Sequence, residues 1–170
     1  MKRVDRLVEA CALLADSGAS QEAIRLAIVG SGPLRAALEK RVGKLRLAGR
    51  VRFLGGRAHD EVALWMNAAD CLCLPSLSEG MPNVVIEALA CGVPVVATDV
   101  GEVPFLVKDG VNGFVVNGAD DGLPARLAES LRLCLAREWD RSSIAGAMGG
   151  FTWEAAVRRI LEGIEAAKEA

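Results

Sequence analysis

The stretch that decides the fold is Pro75–Thr98, which reads PSLSEGMPNVVIEALACGVPVVAT. An apolar, strand-like run at Cys71–Leu74 comes directly before it. Pro82 suits the first turn of a helix, where its missing N–H removes no hydrogen bond. Gly92 and Pro94 then end that helix and lead into a second apolar run. The stretch therefore predicts a strand, a polar loop, a short helix and another strand.

Two carboxylates, those of Glu79 and Glu87, lie on either side of the predicted helix start. Backbone N–H groups near Gly80–Val84 would have no partner inside the helix, which favours an anion and above all a phosphate. From Pro82 to Glu87 a helix rises about 7–8 Å. Both carboxylates can accept hydrogen bonds from sugar hydroxyls. The spacing fits what a sugar nucleotide needs.

Composition indicates one ordinary globular domain over residues 1–170. Hydrophobic residues make up 52% and charged residues 25%, and the net charge of −2 gives no electrostatic footprint for nucleic acid. Glu87 and several prolines interrupt the apolar stretches, so none predicts a membrane span. The five cysteines and single histidine favour buried thiols in a reducing compartment over a disulfide framework or a zinc site. We therefore expect a cytoplasmic protein without a metal.

Apolar strand-like runs alternate with amphipathic helical runs along the chain, which predicts an α/β fold with a doubly wound, Rossmann-like parallel sheet covered on both faces. The predicted strands are Arg25–Gly30, Val51–Gly55, Asp70–Leu74, Pro94–Thr98 and Gly113–Val116. The predicted helices are Val4–Asp16, Pro33–Leu47, Asp60–Ala69, Pro82–Cys91, Val103–Lys108, Leu123–Arg137 and Trp153–Lys168.

The E-x7-E spacing of Glu79 and Glu87, followed by Ala88-Leu-Ala-Cys-Gly-Val-Pro-Val-Val-Ala-Thr98, resembles the retaining glycosyltransferases of the GT-B fold, in particular glycosyltransferase family 4. The resemblance covers nearly the whole chain, but only the C-terminal, donor-binding half of such an enzyme. It continues through four further segments: Arg25–Leu34, Val51–Glu61, Lys108–Val116 and Phe151–Glu154. It implies a UDP-, GDP- or ADP-sugar as the substrate, with no cofactor and no metal, and the absence of an Asp-x-Asp motif agrees with this.

The resemblance assigns Glu79, as the catalytic candidate, to hydroxyls of the transferred sugar and to the positive charge that develops at its anomeric carbon. It assigns Glu87 to the ribose hydroxyls and Lys2 to the diphosphate. Read without the family, Glu79 is a solvated or helix-capping acid, Glu87 an exposed or paired acid, and Lys2 a solvated terminal residue. The remaining candidates for donor contact are Gly80, Met81, Pro82, Asn83, Val84, Gly30, Gly32 and Arg57.

The loop after the strand Pro94–Thr98 departs from the family pattern. Many relatives have Gly-Gly-x-x-Glu there, whereas this chain has Glu102 in place of the second glycine and Phe105 in place of the acid. Donor-sugar contacts from this loop are therefore not carried over from the resemblance.

The chain opens on a helix, whereas a doubly wound domain with strand order 3-2-1-4-5-6 starts with a central strand. By resemblance, residues 2–10 match the segment just after that strand, so we expect strands two to six without strand one. Losing a central strand leaves unpaired edges, which would allow dimers. The acceptor-binding N-terminal domain is expected as the partner, and residues 151–170 as a helix that packs toward it.

Three other functions stay open at this stage. The first is a sugar-nucleotide-binding module without turnover, and the second is another GT-B-like enzyme such as a nucleotide-sugar epimerase. The third is a structural subunit with a relict pocket. The sequence leaves open the base, the sugar, the acceptor and whether the parent enzyme lies at the inner face of a membrane.

Overall fold

A computed structural model of the chain describes residues 1–16, 24–118, 120–151, 157–158 and 161. Helices and strands alternate along these residues, as the sequence predicts. The helices are α1 Val4–Asp16, α2 Arg35–Lys44, α3 His59–Ala68, α4 Asn83–Ala90, α5 Val103–Leu106, α6 Leu123–Leu135 and α7 Arg141–Gly146. The strands are β1 Leu26–Val29, β2 Val51–Gly55, β3 Leu72–Leu74, β4 Val95–Thr98 and β5 Gly113–Val116. None of the helices in these ranges is long and apolar enough to cross a membrane.

All five strands pair in parallel, as predicted, and they form two sheets, which fits the expectation of strands two to six without the central strand one. β1 pairs with β2, and β4 lies between β3 and β5. In the order 3-2-1-4-5-6, removal of strand 1 leaves a pair and a triplet of this kind. The break between the sheets thus falls at the position that strand 1 takes in that order. Beside it, the Met1 carbonyl accepts a hydrogen bond of 2.9 Å from the N–H of Leu77.

β4 is the central strand of the larger sheet, and all four of its residues are buried. Its side chains alternate between two cores, as the pleat of a strand requires. Val96 faces the core under α1 and α6, whereas Val95 and Ala97 face the core under α4, α5 and α7. The sheet is therefore covered on both faces, which confirms the predicted α/β layering.

Four of the five cysteines line the core under α1 and α6: Cys11, Cys71, Cys73 and Cys134. All five thiols are free. Burial raises the pKa of Cys11 to about 11 and the pKa of Cys73 further still. Thiols held protonated in an apolar core act as small hydrophobic side chains. Within the described ranges no group of histidine, cysteine or acidic side chains could hold a metal ion.

Helix ends differ from the predicted bounds by a few residues. α2 and α5 are shorter than predicted, and α7 was not predicted at all. Asp140 caps α7 by accepting hydrogen bonds from the N–H groups of Ser142 and Ser143. Of the predicted last helix, Trp153–Lys168, only residues 157, 158 and 161 are described. That helix and its packing stay predictions.

Candidate functional site

The loop between β3 and α4 carries Glu79. It runs along the carboxyl end of the larger sheet, where parallel α/β folds bind ligands. α4 begins at Asn83, one residue later than predicted. Pro82 is its N-cap, with φ −78° and ψ 100°, and the Pro82 carbonyl accepts the first helical hydrogen bond, from Val85 at 3.0 Å. Pro82 therefore stands just before the first turn, because its extended ψ does not continue the helix.

The side chain of Lys2 reaches Glu79, 77 residues away in the sequence. The Lys2 ammonium donates a hydrogen bond of 2.7 Å to Glu79 Oε1. The Glu79 side chain is 14% exposed and that of Lys2 is 59% exposed, so the carboxylate is the more buried partner. Lys2 and Glu79 were each predicted as donor contacts, and the fold brings them together at one edge of the sheet.

The pKa of Glu79 lies below its ordinary value. Partial burial opposes ionisation, but the hydrogen bond from Lys2, the nearby Ser76 hydroxyl and the charge of Lys2 together outweigh it. Glu79 is consequently a carboxylate at neutral pH, and it can accept hydrogen bonds but cannot donate a proton.

A second loop, between β4 and α5, packs against the backbone of the Glu79 loop and is hydrogen-bonded to it. Gly101 lies there with φ +52°, and a Cβ at this position would stand 2.3 Å from the Glu79 carbonyl oxygen. The N–H of Glu102 donates a hydrogen bond of 3.0 Å to the Gly80 carbonyl. The hydroxyl of Thr98 donates to the carbonyl of Ser76. Gly101 and Thr98 were missing from the predicted site, because their contacts join segments more than 20 residues apart.

Glu87 lies on the second turn of α4 and is partly buried. Its neighbours Ala88 and Leu89 are fully buried in the core. The Glu87 side chain has no hydrogen bond or ion pair with the part of the chain that the structure describes, although its backbone carbonyl accepts a hydrogen bond from the Cys91 N–H at 3.1 Å. A partly buried carboxylate without a protein partner keeps its lone pairs for water or a ligand.

The start of α4 presents exposed backbone. Gly80, Met81 and Asn83 are exposed, and the N–H groups of Asn83 and Val84 precede the first helical hydrogen bond. These groups carry the positive end of the helix dipole. An anion such as a phosphate would be stabilised there.

The smaller sheet ends in two joined loops that contain the other candidates. The N–H of Gly30 donates a hydrogen bond of 2.8 Å to the Gly55 carbonyl. Gly30 and Gly32 face open space, since no atom lies within 4 Å of a Cβ built on either. Arg57 donates from Nε to the Leu54 carbonyl at 3.1 Å and from its terminal nitrogen to Glu61 at 3.3 Å. Arg57 is thus held at the end of β2, where its remaining N–H groups are free to contact a ligand.

Comparison with known proteins agrees with this arrangement. The family model described as glycosyl transferases group 1 matches residues 1–137. The D-inositol 3-phosphate glycosyltransferase of Frankia alni is 38% identical over 172 residues, which cover 95% of this chain and 41% of the relative. The chain therefore spans less than half the length of that relative.

Solved structures give the same picture of the fold. The lipopolysaccharide outer core galactosyltransferase WaaB superposes with a TM-score of 0.79 over 98% of this chain and 45% of its own; at 20% identity it bears on the fold alone. HepE of Anabaena, solved in complex with UDP-glucose, is 25% identical with a TM-score of 0.61 over 88% of this chain and 44% of its own. The parallel α/β architecture resembles the GT-B fold, and the chain belongs to the glycosyl transferases of group 1.

Proposed function

We propose that this chain is the donor-binding domain of a retaining, family 4 glycosyltransferase, which moves a sugar from a nucleotide-sugar to an acceptor. One observation carries the proposal. Two carboxylates flank the start of α4: Glu79, ionised and held by Lys2 at 2.7 Å, and Glu87, partly buried and unpaired among the described residues. Glu79 would accept hydrogen bonds from hydroxyls of the transferred sugar, and Glu87 from the ribose.

The diphosphate would lie between them, at the start of α4. The free N–H groups of Asn83 and Val84 and the helix dipole favour a dianion at this point. Lys2 adds a positive charge, and its ammonium has three N–H donors, so it can contact a phosphate oxygen while it keeps its bond to Glu79. Positive groups at the leaving diphosphate stabilise the charge that develops as the sugar departs.

We propose a UDP-sugar as the first donor to test, because HepE is solved with UDP-glucose. GDP- and ADP-sugars are the other candidates. The glycine loops at Gly30–Gly32 and Gly55–Arg57 would approach the nucleoside, since open backbone there leaves room for a ligand.

The reaction would retain the configuration at the anomeric carbon without a protein nucleophile. The bond from that carbon to the diphosphate oxygen breaks, and the acceptor hydroxyl attacks from the same face and gives its proton to the departing phosphate oxygen. Glu79 would lower the energy of the cationic sugar between these events. The acceptor would be bound by an N-terminal domain, so this chain alone is expected to bind the donor without turnover.

A thermal-shift panel tests the proposal. UDP, GDP, ADP and the glucose ester of each nucleotide are titrated separately against the wild-type chain, Glu87→Ala and the control Glu129→Ala. Binding to the native state raises the melting temperature with the logarithm of ligand concentration. Glu129 is exposed on α6 and pairs with Arg132 of the same helix at 2.6 Å, so its loss should not change binding.

A shift with one nucleotide that is lost in Glu87→Ala and kept in Glu129→Ala would support the donor site and identify the base. No shift in any wild-type titration of the folded chain would contradict the proposal. A shift that Glu87→Ala leaves unchanged would contradict the role of Glu87 and favour a relict or different pocket.

A further inference from the structure

Three glycines of the described residues fit so tightly that an added Cβ would overlap backbone atoms at less than 3 Å: Gly92, Gly101 and Gly113. Gly92 faces the Arg141 carbonyl of α7, and Gly113 faces Val95 inside the sheet. Those two contacts join structural elements. Gly101 instead faces the peptide between Glu79 and Gly80, within the candidate site.

The fit at Gly101 involves two carbonyl groups. A Cβ there would lie 2.3 Å from the Glu79 oxygen, 2.5 Å from the Gly80 oxygen and 2.9 Å from the Glu79 carbonyl carbon. Normal van der Waals contacts are about 3.5–4 Å, so one of the two loops would have to move by about 1 Å. The backbone at Gly101, with φ +52°, also lies in the left-handed region that favours glycine.

Hydrogen bonds on both sides of this contact keep the two loops in register. The Glu102 N–H binds the Gly80 carbonyl at 3.0 Å, and the Thr98 hydroxyl binds the Ser76 carbonyl. Thr98 is 3% exposed and β4 is buried throughout, so the strand is fixed, whereas Gly101 and Glu102 of the adjoining loop are exposed. A displacement forced at Gly101 would therefore move the Glu79 loop more than β4.

We propose that Gly101 is a positioning residue: the absence of a side chain at this position sets where the Glu79 carboxylate stands relative to Lys2 and the donor sugar. The inference rests on the proposed function for its effect on the sugar. Its structural part, the coupling of Gly101 to the Lys2–Glu79 ion pair, does not depend on that function.

The test compares Gly101→Ala with two controls. Gly49→Ala has the same kind of left-handed backbone, φ +82°, but no atom within 4 Å of its Cβ, so it introduces strain without displacement. Gly92→Ala introduces a comparable overlap at 2.3 Å, but against Arg141 and away from Glu79. Both controls should lower stability without moving Glu79.

The first readout is the ratio of the affinity for UDP-glucose to the affinity for UDP, which isolates the contribution of the sugar. We expect Gly101→Ala to lower this ratio about tenfold, the order of one charged hydrogen bond, and to leave the affinity for UDP within about twofold. Combining Gly101→Ala with Glu79→Gln should lower the ratio no further than Glu79→Gln alone. An unchanged ratio in folded Gly101→Ala, or fully additive losses, would overturn the proposal.

The second readout is the titration of the Glu79 carboxyl carbon by NMR, which needs no ligand. In the wild type it should titrate below the ordinary value, and in Gly101→Ala the pKa should rise because the contact with Lys2 is lost. An unchanged titration would overturn the inference, whereas a wild type that binds neither UDP nor UDP-glucose would contradict only the choice of donor. If Gly101→Ala does not fold, the same two measurements are made on Thr98→Val, which removes the adjoining hydrogen bond from Thr98 to the Ser76 carbonyl.

Discussion

The ion pair between Lys2 and Glu79 makes a stability prediction that follows from its geometry. At the observed 2.7 Å, two unit charges in water attract by about 1.5 kcal/mol. Because the Lys2 side chain is 59% exposed, screening and the entropy of ordering it reduce this to about 0.5–1 kcal/mol. Lys2→Met keeps the aliphatic stem and removes the charge. It should therefore lower the melting temperature by about 1–4 °C.

The pH dependence distinguishes this ion pair from simple packing. Glu79 has a lowered pKa in the folded state, so its pairing stabilises the fold above the unfolded value of about 4.3. The stabilisation is lost as the pH falls through the lowered, folded value. Urea titrations of the wild type and Lys2→Met at pH 7 and about pH 2.5 should therefore give different free energies of unfolding at pH 7 and equal ones at the acidic pH.

Lys40→Met is the matched control, because Lys40 is an exposed lysine of α2 with no ion pair to the described residues. It should behave like the wild type at both pH values. A difference between Lys2→Met and the wild type that persists unchanged in acid would refute the electrostatic argument, and so would the absence of any difference at pH 7.

Three further predictions concern the fold around the site. Arg141 donates to the carbonyl of Asn67 at 3.1 Å, in the last turn of α3, and to that of Cys91 at 3.3 Å, the C-cap of α4. Arg141→Met should therefore cost about 1–2 kcal/mol in urea unfolding, against less than about 0.5 kcal/mol for the exposed control Arg132→Met. Leu89→Ala, in the fully buried face of α4, should cost about 2–5 kcal/mol by the same measurement, and a smaller loss would mean that the core refills the cavity. Thr98→Val should cost about 1–3 kcal/mol, since the Ser76 carbonyl loses its buried partner; calorimetry showing an unchanged melting temperature would contradict that.

Local patterns in the sequence are sufficient to predict most elements. The observed strands begin and end within two residues of the predicted bounds, because short apolar runs between Gly- and Pro-containing turns fit few structures other than a strand. α7 was missed, although Asp140 followed by Ser142 and Ser143 is a helix-start signal. The glycines at 146, 149 and 150 disfavour a helix, and they hid this one of six residues.

Contacts between distant residues were harder to predict. The separation of the pair from the triplet follows from the strand order 3-2-1-4-5-6 without strand 1, whereas the apolar pattern of a strand does not by itself identify its neighbour. The resemblance placed Lys2 and Glu79 at one ligand but did not predict their direct contact across 77 residues. In the sequence, Gly101 stood out only as part of the loop that departs from the family pattern. A glycine that fits against a neighbouring backbone looks the same in sequence as one in an open turn.

The break between the two sheets has a consequence for amide hydrogen exchange. Among the described residues β1 and β2 pair only with each other, and the residues of β1 alternate between partly buried and exposed. β4, in contrast, is hydrogen-bonded on both sides and buried throughout. β1 and β2 share the core under α1 and α6 with the triplet but have no strand hydrogen bonds to it, so their amides should exchange through a local fluctuation of lower free energy. Amides of β4 should exchange only when the whole domain unfolds. The chain would then contain two cooperative units of unequal stability, with Glu79 and Glu87 on the more stable one and the glycine loops on the other.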